Sequence, residues 1–262
     1  MKTVTFVVPM YNEEKRIQKT FDALVAFRAP REIRLEKIIF VNDGSTDKTV
    51  QVIKNFIKTS RLSSQIKLVT YSKNQGKGNA VKEGMLNSNS DYTLFFDADI
   101  STPLSEIKKF IPYFEKNENV VIGTRKNGKS TVVVHQPKKR ELLGKGFTKL
   151  TQTILGVHVT DFTCGFKAFS NNACSTIFSQ AQIKGWGYDA EIIYLAEKEK
   201  FKVVEVPVTW YDDKRSRVVL YKAIPQSLFE LFTILYYHKY KGIIQFFTLP
   251  LSKVRTRIAS VL

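Results

Sequence analysis

Tyr92-Thr93-Leu94-Phe95-Phe96-Asp97-Ala98-Asp99 is the stretch that decides the fold. Its first five residues are apolar or β-branched without alternation, the pattern of a short strand buried on both faces, and two carboxylates leave its C-terminal end together. Open α/β sheets bind their ligands at that end of their strands. Outward from it, strands are predicted over Val4–Pro9, Ile38–Asn42, Ile66–Tyr71 and Val120–Gly123. Between them, Ile17, Phe21, Leu24 and Val25, then Val50, Ile53 and Ile57, then Ile107, Phe110, Ile111 and Phe114 recur at helical spacing. Strands alternating with amphipathic helices predict an α/β fold with a doubly wound, mostly parallel sheet.

Further along, 126–140 carries glycine, proline and no acidic residue, and is predicted as a solvated basic loop. A helix over Leu142–Leu155, a Gly- and Phe-rich stretch over Phe162–Ser170, a helix near Tyr188–Lys200 and a strand over Val203–Val208 follow. The chain divides into a domain of residues 1–213 and a basic amphipathic helical tail of residues 214–262. In that tail Leu220, Ile224, Leu228, Leu231 and Leu235 form a helical stripe that Phe232, Tyr236 and Tyr237 widen. Two occupants suit the stripe, the domain itself or an anionic membrane surface, and Pro225 either breaks the first turn or starts the helix.

The 262 residues carry 41 Lys and Arg against 24 Asp and Glu, a formal charge of +17 that favours phosphates, nucleic acid or anionic lipid as partners. From Lys214 onward Glu230 is the single acid. Two cysteines, Cys164 and Cys174, make no disulfide framework and fit a reducing compartment. No apolar run reaches the roughly 18 residues of a membrane span, and neither a leader nor a span is expected. His135, His158 and His238 lack ligand spacing, which speaks against zinc. A non-catalytic nucleic-acid-binding protein is the remote alternative; no helix-turn-helix, zinc-finger or RNP signature supports it, and no nucleic-acid partner is expected.

The chemistry lies in four segments. Asp97-Ala98-Asp99, at a strand end, suits one carboxylate to Mg²⁺ or Mn²⁺ and the other to a substrate hydroxyl, because hard cations take one or two carboxylates and complete their shell with water and diphosphate oxygens. Asn42-Asp43-Gly44-Ser45 ends a strand and opens a helix with Ser45 or Thr46 as cap, which leaves Asp43 to accept from a nucleoside. Pro9-Met10-Tyr11-Asn12-Glu13 offers an aromatic face and an acceptor in Glu13. Asn74-Gln75-Gly76-Lys77-Gly78 sets a glycine turn and Lys77 at a helix start, suited to an anion, without Walker A spacing.

Together with Gly123-Thr124-Arg125, Arg140, Asp161–Lys167, Gly185–Glu191 and Glu205–Trp210, these segments resemble in order and spacing the family 2 glycosyltransferases of GT-A fold. Within them the similarity is to the branch that charges polyprenyl phosphates with glucose or mannose, and Cys164–Lys167 and Trp186–Glu191 lean towards glucose. The resemblance implies that Pro9, Tyr11, Glu13, Asp43 and Lys77 hold the nucleotide sugar, Asp97 its sugar or ribose side, and Asp99 the metal. Arg125, Arg140, Lys167, Arg215 and Arg217 would meet the leaving diphosphate or the acceptor phosphate. Implied partners are a nucleotide sugar, UDP-glucose ahead of GDP-mannose, a dolichyl or undecaprenyl phosphate, and an anionic membrane, with the enzyme peripheral on the cytoplasmic face; homo-oligomerisation stays open. A phosphate acceptor is already ionised and needs no base, so transfer inverts the anomeric centre by direct attack. A hydroxyl acceptor on a polysaccharide or glycolipid is the alternative, with Asp189 as base.

Overall fold

The structure, a computed structural model, describes residues 1–126, 130–134, 138–211 and 220–240, without the side chains of 134, 138–141 and 220–224. Its main sheet has seven strands, β1 (Lys2–Met10), β2 (Ile33–Asp43), β3 (Ile66–Tyr71), β4 (Tyr92–Phe96), β5 (Val120–Thr124), β7 (Phe166–Ser170) and β8 (Val203–Pro207), in the order β3-β2-β1-β4-β7-β5-β8. β1 pairs in parallel with both β2 and β4, with Val7 opposite Ile39 on one side and Phe95 on the other. The strand order therefore reverses between β1 and β4, and the crevice beyond their C-terminal ends is where such a sheet takes a ligand.

The unalternating apolar runs are explained by cover on both sides. Phe6, Val8, Phe40, Leu94 and Phe96 face one core, which α1 (Gln18–Ala26), α2 (Thr49–Thr59) and α4 (Ile111–Glu115) close. Val7, Ile39, Val41 and Phe95 face the other, under α3 (Lys77–Leu86), α6 (Asn171–Gln180) and α7 (Tyr188–Lys198). Gly84 lets α3 approach the sheet so closely that a Cβ would stand 2.2 Å from Val7 Cγ1.

Two expectations are corrected and one open choice is decided. The Gly- and Phe-rich stretch Phe162–Ser170, which carries no strand pattern, holds β7, antiparallel between β4 and β5. The basic 126–140 segment holds β6 (Thr131–Val134), which forms a parallel ribbon with β9 (Thr209–Tyr211), and its last residues begin α5 (Lys138–Leu155). In α8 (Leu220–Leu235) the described part of the leucine stripe faces the protein: Leu231 and its neighbour Ile234 are fully buried, and Leu228 and Leu235 pack on the same core. α8 is thus built into the domain, with Phe229, Phe232 and Tyr236 on its exposed side.

Candidate functional site

Each of the four parallel strands β1 to β4 is followed by a residue with left-handed backbone: Asn12 (φ 55°), Gly44 (φ 66°), Gly76 (φ 105°) and Ile100 (φ 53°). For a β-branched residue such as Ile100 this conformation is unfavourable, and such outliers concentrate where the surrounding structure fixes a functional edge. Asn12 turns the exit of β1 back onto that of β2; its Oδ1 accepts from Thr46 N–H at 2.8 Å and its own N–H donates to Ser45 Oγ at 2.9 Å. Asp47, rather than Ser45 or Thr46, receives the first N–H of α2, from Thr49 at 3.0 Å.

Asp43, buried at the end of β2, accepts from Gln75 N–H at 2.7 Å, Gly76 N–H at 2.9 Å and Asn74 Nδ2 at 2.9 Å. Its carboxylate thereby folds the glycine turn that launches α3. Lys77, the first residue of that helix, reaches Asp97 Oδ1 at 2.5 Å. Burial alone would lower the Lys77 ammonium's pKa, but the charges of Asp97 and Asp189 outweigh it and raise it. Gly165 presses against Asp97 so closely that a Cβ there would lie 2.1 Å from Oδ2. Asp99 Oδ1 accepts from Ser101 N–H at 2.9 Å, and burial, then the negative charge of Asp97, push this carboxyl's pKa up.

On the far side, Asp189 in the first turn of α7 meets Lys167 of β7 at 2.5 Å, and the same ammonium donates to the Cys164 carbonyl at 2.7 Å. Lys167 is fully buried. Burial raises the Asp189 pKa while Lys167 and Lys77 oppose it. Asp97, Asp99 and Asp189 thus share one edge with two ammonium groups.

Other expected site residues are placed differently. Tyr11 is exposed at the mouth of β1 and Pro9 is buried within the strand. The Glu13 carboxylate is taken up by Arg16, with Nε–Oε2 at 2.8 Å. Arg125 forks onto Asp161, Nε to Oδ2 and Nη2 to Oδ1 both at 2.8 Å, and lies over the Trp210 ring. Arg125 and Lys167 are thus engaged in internal ion pairs, as Lys77 is with Asp97. The Arg140 side chain, Arg215 and Arg217 lie outside the described residues. Among the described residues no three His, Cys, Asp or Glu side chains cluster as metal ligands. Both cysteines are buried and free, their thiols pushed up to about 12 by burial.

Asp161 and Gly165, given no role of their own in the sequence reading, now have one: the first neutralises Arg125 and the second makes room for Asp97. Both stand in the Asp161–Lys167 segment that carried the resemblance, so the signal was present without its meaning.

Residues 5–178 match the family described as Glycosyl transferase family 2. The chain belongs to that family. A dolichyl-phosphate beta-glucosyltransferase of Trichomonas vaginalis is 34% identical over 235 residues, 86% of this chain and 68% of the relative. The Saccharomyces cerevisiae enzyme of the same name is 32% identical over 232 residues, 83% of this chain and 69% of the relative. The fold is that of glucosyl-3-phosphoglycerate synthase from Mycobacterium tuberculosis, solved with Mg²⁺ and uridine diphosphate: TM-score 0.62 at 16% identity, over 90% of this chain and 78% of that one. The chain is a glycosyltransferase of GT-A fold, and its Asp97-Ala98-Asp99 edge is the family member's candidate active site.

If Lys167 serves Asp189 internally, Lys167→Met leaves a buried charge unpaired and costs about 3–5 kcal/mol. A carboxyl whose folded pKa lies above its unfolded value weakens the fold as pH rises, so the cost is larger at pH 8 than at pH 5. Lys167→Met/Asp189→Leu recovers part of the loss. Urea unfolding at the two pH values checks this; a pH-independent cost with additive single effects contradicts the pairing.

Proposed function

We propose that the enzyme transfers glucose from UDP-glucose to a polyprenyl phosphate, with inversion, at an anionic membrane surface on the cytoplasmic face. The carrying observation is the strand-end cluster of Asp97, Asp99, Lys77 and the Lys167–Asp189 pair. The names of the relatives supply the acceptor and the sugar, and the uridine diphosphate complex of the structural neighbour supports the nucleotide.

A divalent cation fits the residues present. The donor set is hard oxygen, and the carboxyl of Asp99, raised by burial and by Asp97, has an excess of negative charge beside it that a dication would relieve. Asp99 would hold Mg²⁺ or Mn²⁺, with diphosphate oxygens and water as the other ligands. Bound there, the metal would supply charge stabilisation to the departing diphosphate.

The chain's own residues do the rest. Lys77, fixed by the Asp43-ordered turn, places a positive charge beside Asp97, where the donor's sugar and diphosphate would meet. Asp97 orients the donor, and Tyr11 presents its ring to the base. A phosphate monoester is largely dianionic at pH 7, so its oxygen attacks the anomeric carbon opposite the leaving diphosphate without a base. Asp189 fits this reading, since its Oδ1 is held by Lys167 rather than open to an acceptor hydroxyl. For the acceptor phosphate, the guanidinium forks of Arg140, Arg215 and Arg217 suit two oxygens, with Arg125 and Lys167 as further cations.

For the membrane, no described helix is long and apolar enough to cross one. The outer side of α8 instead presents Phe229 and Phe232, 73% and 61% exposed, between Lys222 and Lys239 in a tail whose single acid is Glu230. Exposed aromatic rings in a basic segment suit an anionic interface.

With Mg²⁺, UDP-glucose and a polyprenyl phosphate, mass spectrometry is expected to detect the glucosyl phospholipid. Asp99→Asn lowers the rate about 100-fold or more with the fold intact, and the activity left in Asp189→Ala varies little between about pH 7 and 9. Near-wild-type rates for Asp99→Asn at limiting metal overturn the metal assignment. Steep recovery of Asp189→Ala with pH reveals a missing base and a hydroxyl acceptor.

Vesicle flotation checks the surface. Binding to anionic vesicles weakens with salt, since each Lys or Arg near the leaflet adds about 1 kcal/mol. Phe229→Gln/Phe232→Gln weakens it about tenfold or more, given about 1.5–3 kcal/mol for full burial of one such ring. Absence of binding at low salt refutes the attachment.

A further inference from the structure

Glu230, the single acid after Lys214, has no part in the transfer chemistry. In the structure it is 8% exposed on the inner side of α8. Its Oε2 accepts from the Gly187 N–H at 2.6 Å and its Oε1 from Gln226 Nε2 at 2.9 Å. The partner loop is shaped for it: a Cβ on Gly185 would lie 2.0 Å from Oε1, and one on Gly187 2.8 Å from the Glu230 Cβ. Only glycine admits the carboxylate at those two positions.

The loop that Glu230 grips supports both ammonium–carboxylate pairs of the site. The Lys184 carbonyl accepts from the Gly78 N–H at 2.8 Å, and it comes so near Gly76 that a Cβ there would be 2.3 Å from it. Gly76 and Gly78 flank Lys77, which reaches Asp97. Gly187 immediately precedes α7, whose first turn carries Asp189. A second hold lies at the loop's other end. Buried Glu191 accepts from Gln182 N–H and Ile183 N–H, both at 2.8 Å, and meets His238 Nε2 at 2.7 Å in the π-helical turn Tyr236–Tyr240 that continues α8. The C-terminal helix therefore holds the 182–187 loop directly at Gly187 and, through Glu191 of α7, at 182–183, and the loop holds the starts of α3 and α7.

We propose that Glu230 is a positioning residue of the donor site: through the Gly185–Gly187 loop it keeps Lys77 on Asp97 and Asp189 on Lys167. Its kinetic consequence rests on the glucosyl-transfer reading; its structural consequence does not. A sub-ångström to one-ångström displacement of site groups is enough to change turnover about 100-fold.

Amide hydrogen exchange by NMR on the full chain, without substrate, tests it. Glu230 does not touch the Gly78 amide, so an effect there has to travel through the loop. In Glu230→Ala, Gly78 and 183–187 are expected to exchange about tenfold faster or more, with the β1 and β4 amides unchanged. Glu230→Gln, which still offers an oxygen to Gly187, restores protection. Gly185→Ala, whose methyl displaces the carboxylate from the other side, reproduces the Glu230→Ala pattern and stands in for it if that variant does not fold. Phe229→Gln, on the outer side of α8, leaves it unchanged. In turnover, Glu230→Ala raises the nucleotide-sugar KM about tenfold, and Glu230→Gln recovers it. Unaltered Gly78 exchange in both Glu230→Ala and Gly185→Ala overturns the positioning role whatever the acceptor proves to be. Wild-type protein that exchanges as expected yet transfers no glucose overturns the functional reading alone.

Discussion

Three carboxylates, those of Asp97, Asp99 and Asp189, share a partly buried sheet edge with two ammonium groups among the described residues, Lys77 and Lys167. Unpaired charge in such surroundings is costly, so the local architecture is organised around holding the two lysines in place. Asp43 folds the glycine turn that aims Lys77, β7 carries Lys167 between β4 and β5, and Gly165 yields its side-chain space to Asp97. The remaining negative charge sits at Asp99, where a dication and a diphosphate can complete the balance. Structure and proposed chemistry are joined at that imbalance.

The same edge concentrates backbone strain. Left-handed conformations at Asn12, Gly44, Gly76 and Ile100 bend the chain sharply after each parallel strand, bringing four loops to one crevice. Two are glycines for a plain reason: a Cβ on Gly44 would fall 2.5 Å from the Asn74 backbone nitrogen, and one on Gly76 would strike the Lys184 carbonyl. Asn12 tolerates the conformation better than most residues and adds hydrogen bonds across to the β2 loop. Ile100 has no such compensation; it is held by burial and by its N–H donating to the Asp97 carbonyl at 3.1 Å.

Much of this was legible in the sequence because it is local. β3 and β4 coincide with the runs Ile66–Tyr71 and Tyr92–Phe96, and Lys77 opens a helix directly after the glycine turn. What escaped is long-range. Lys167 interrupts the apolar pattern of Phe166–Ser170, and the Cys164 carbonyl together with Asp189, 22 residues on, makes a buried lysine tolerable there. Thr131–Val134 is short and, among the described residues, pairs with β9 alone, so its surroundings read as loop. Glu13, Arg125 and Lys167 each have an internal partner, and spacing along the chain does not reveal these partners. Glu230 is the extreme case, with its partner amide 43 residues upstream.

The charge imbalance is tested most directly by calorimetric titration of the wild-type protein with uridine diphosphate, in Mg²⁺ and in chelator. The account predicts binding about tenfold tighter or more in Mg²⁺, because two phosphates brought unaccompanied to an edge already in negative excess are repelled. Asp99→Asn abolishes most of that difference. Equal affinity with and without the metal would contradict the account, since Lys77 and its neighbours would then balance the diphosphate unaided.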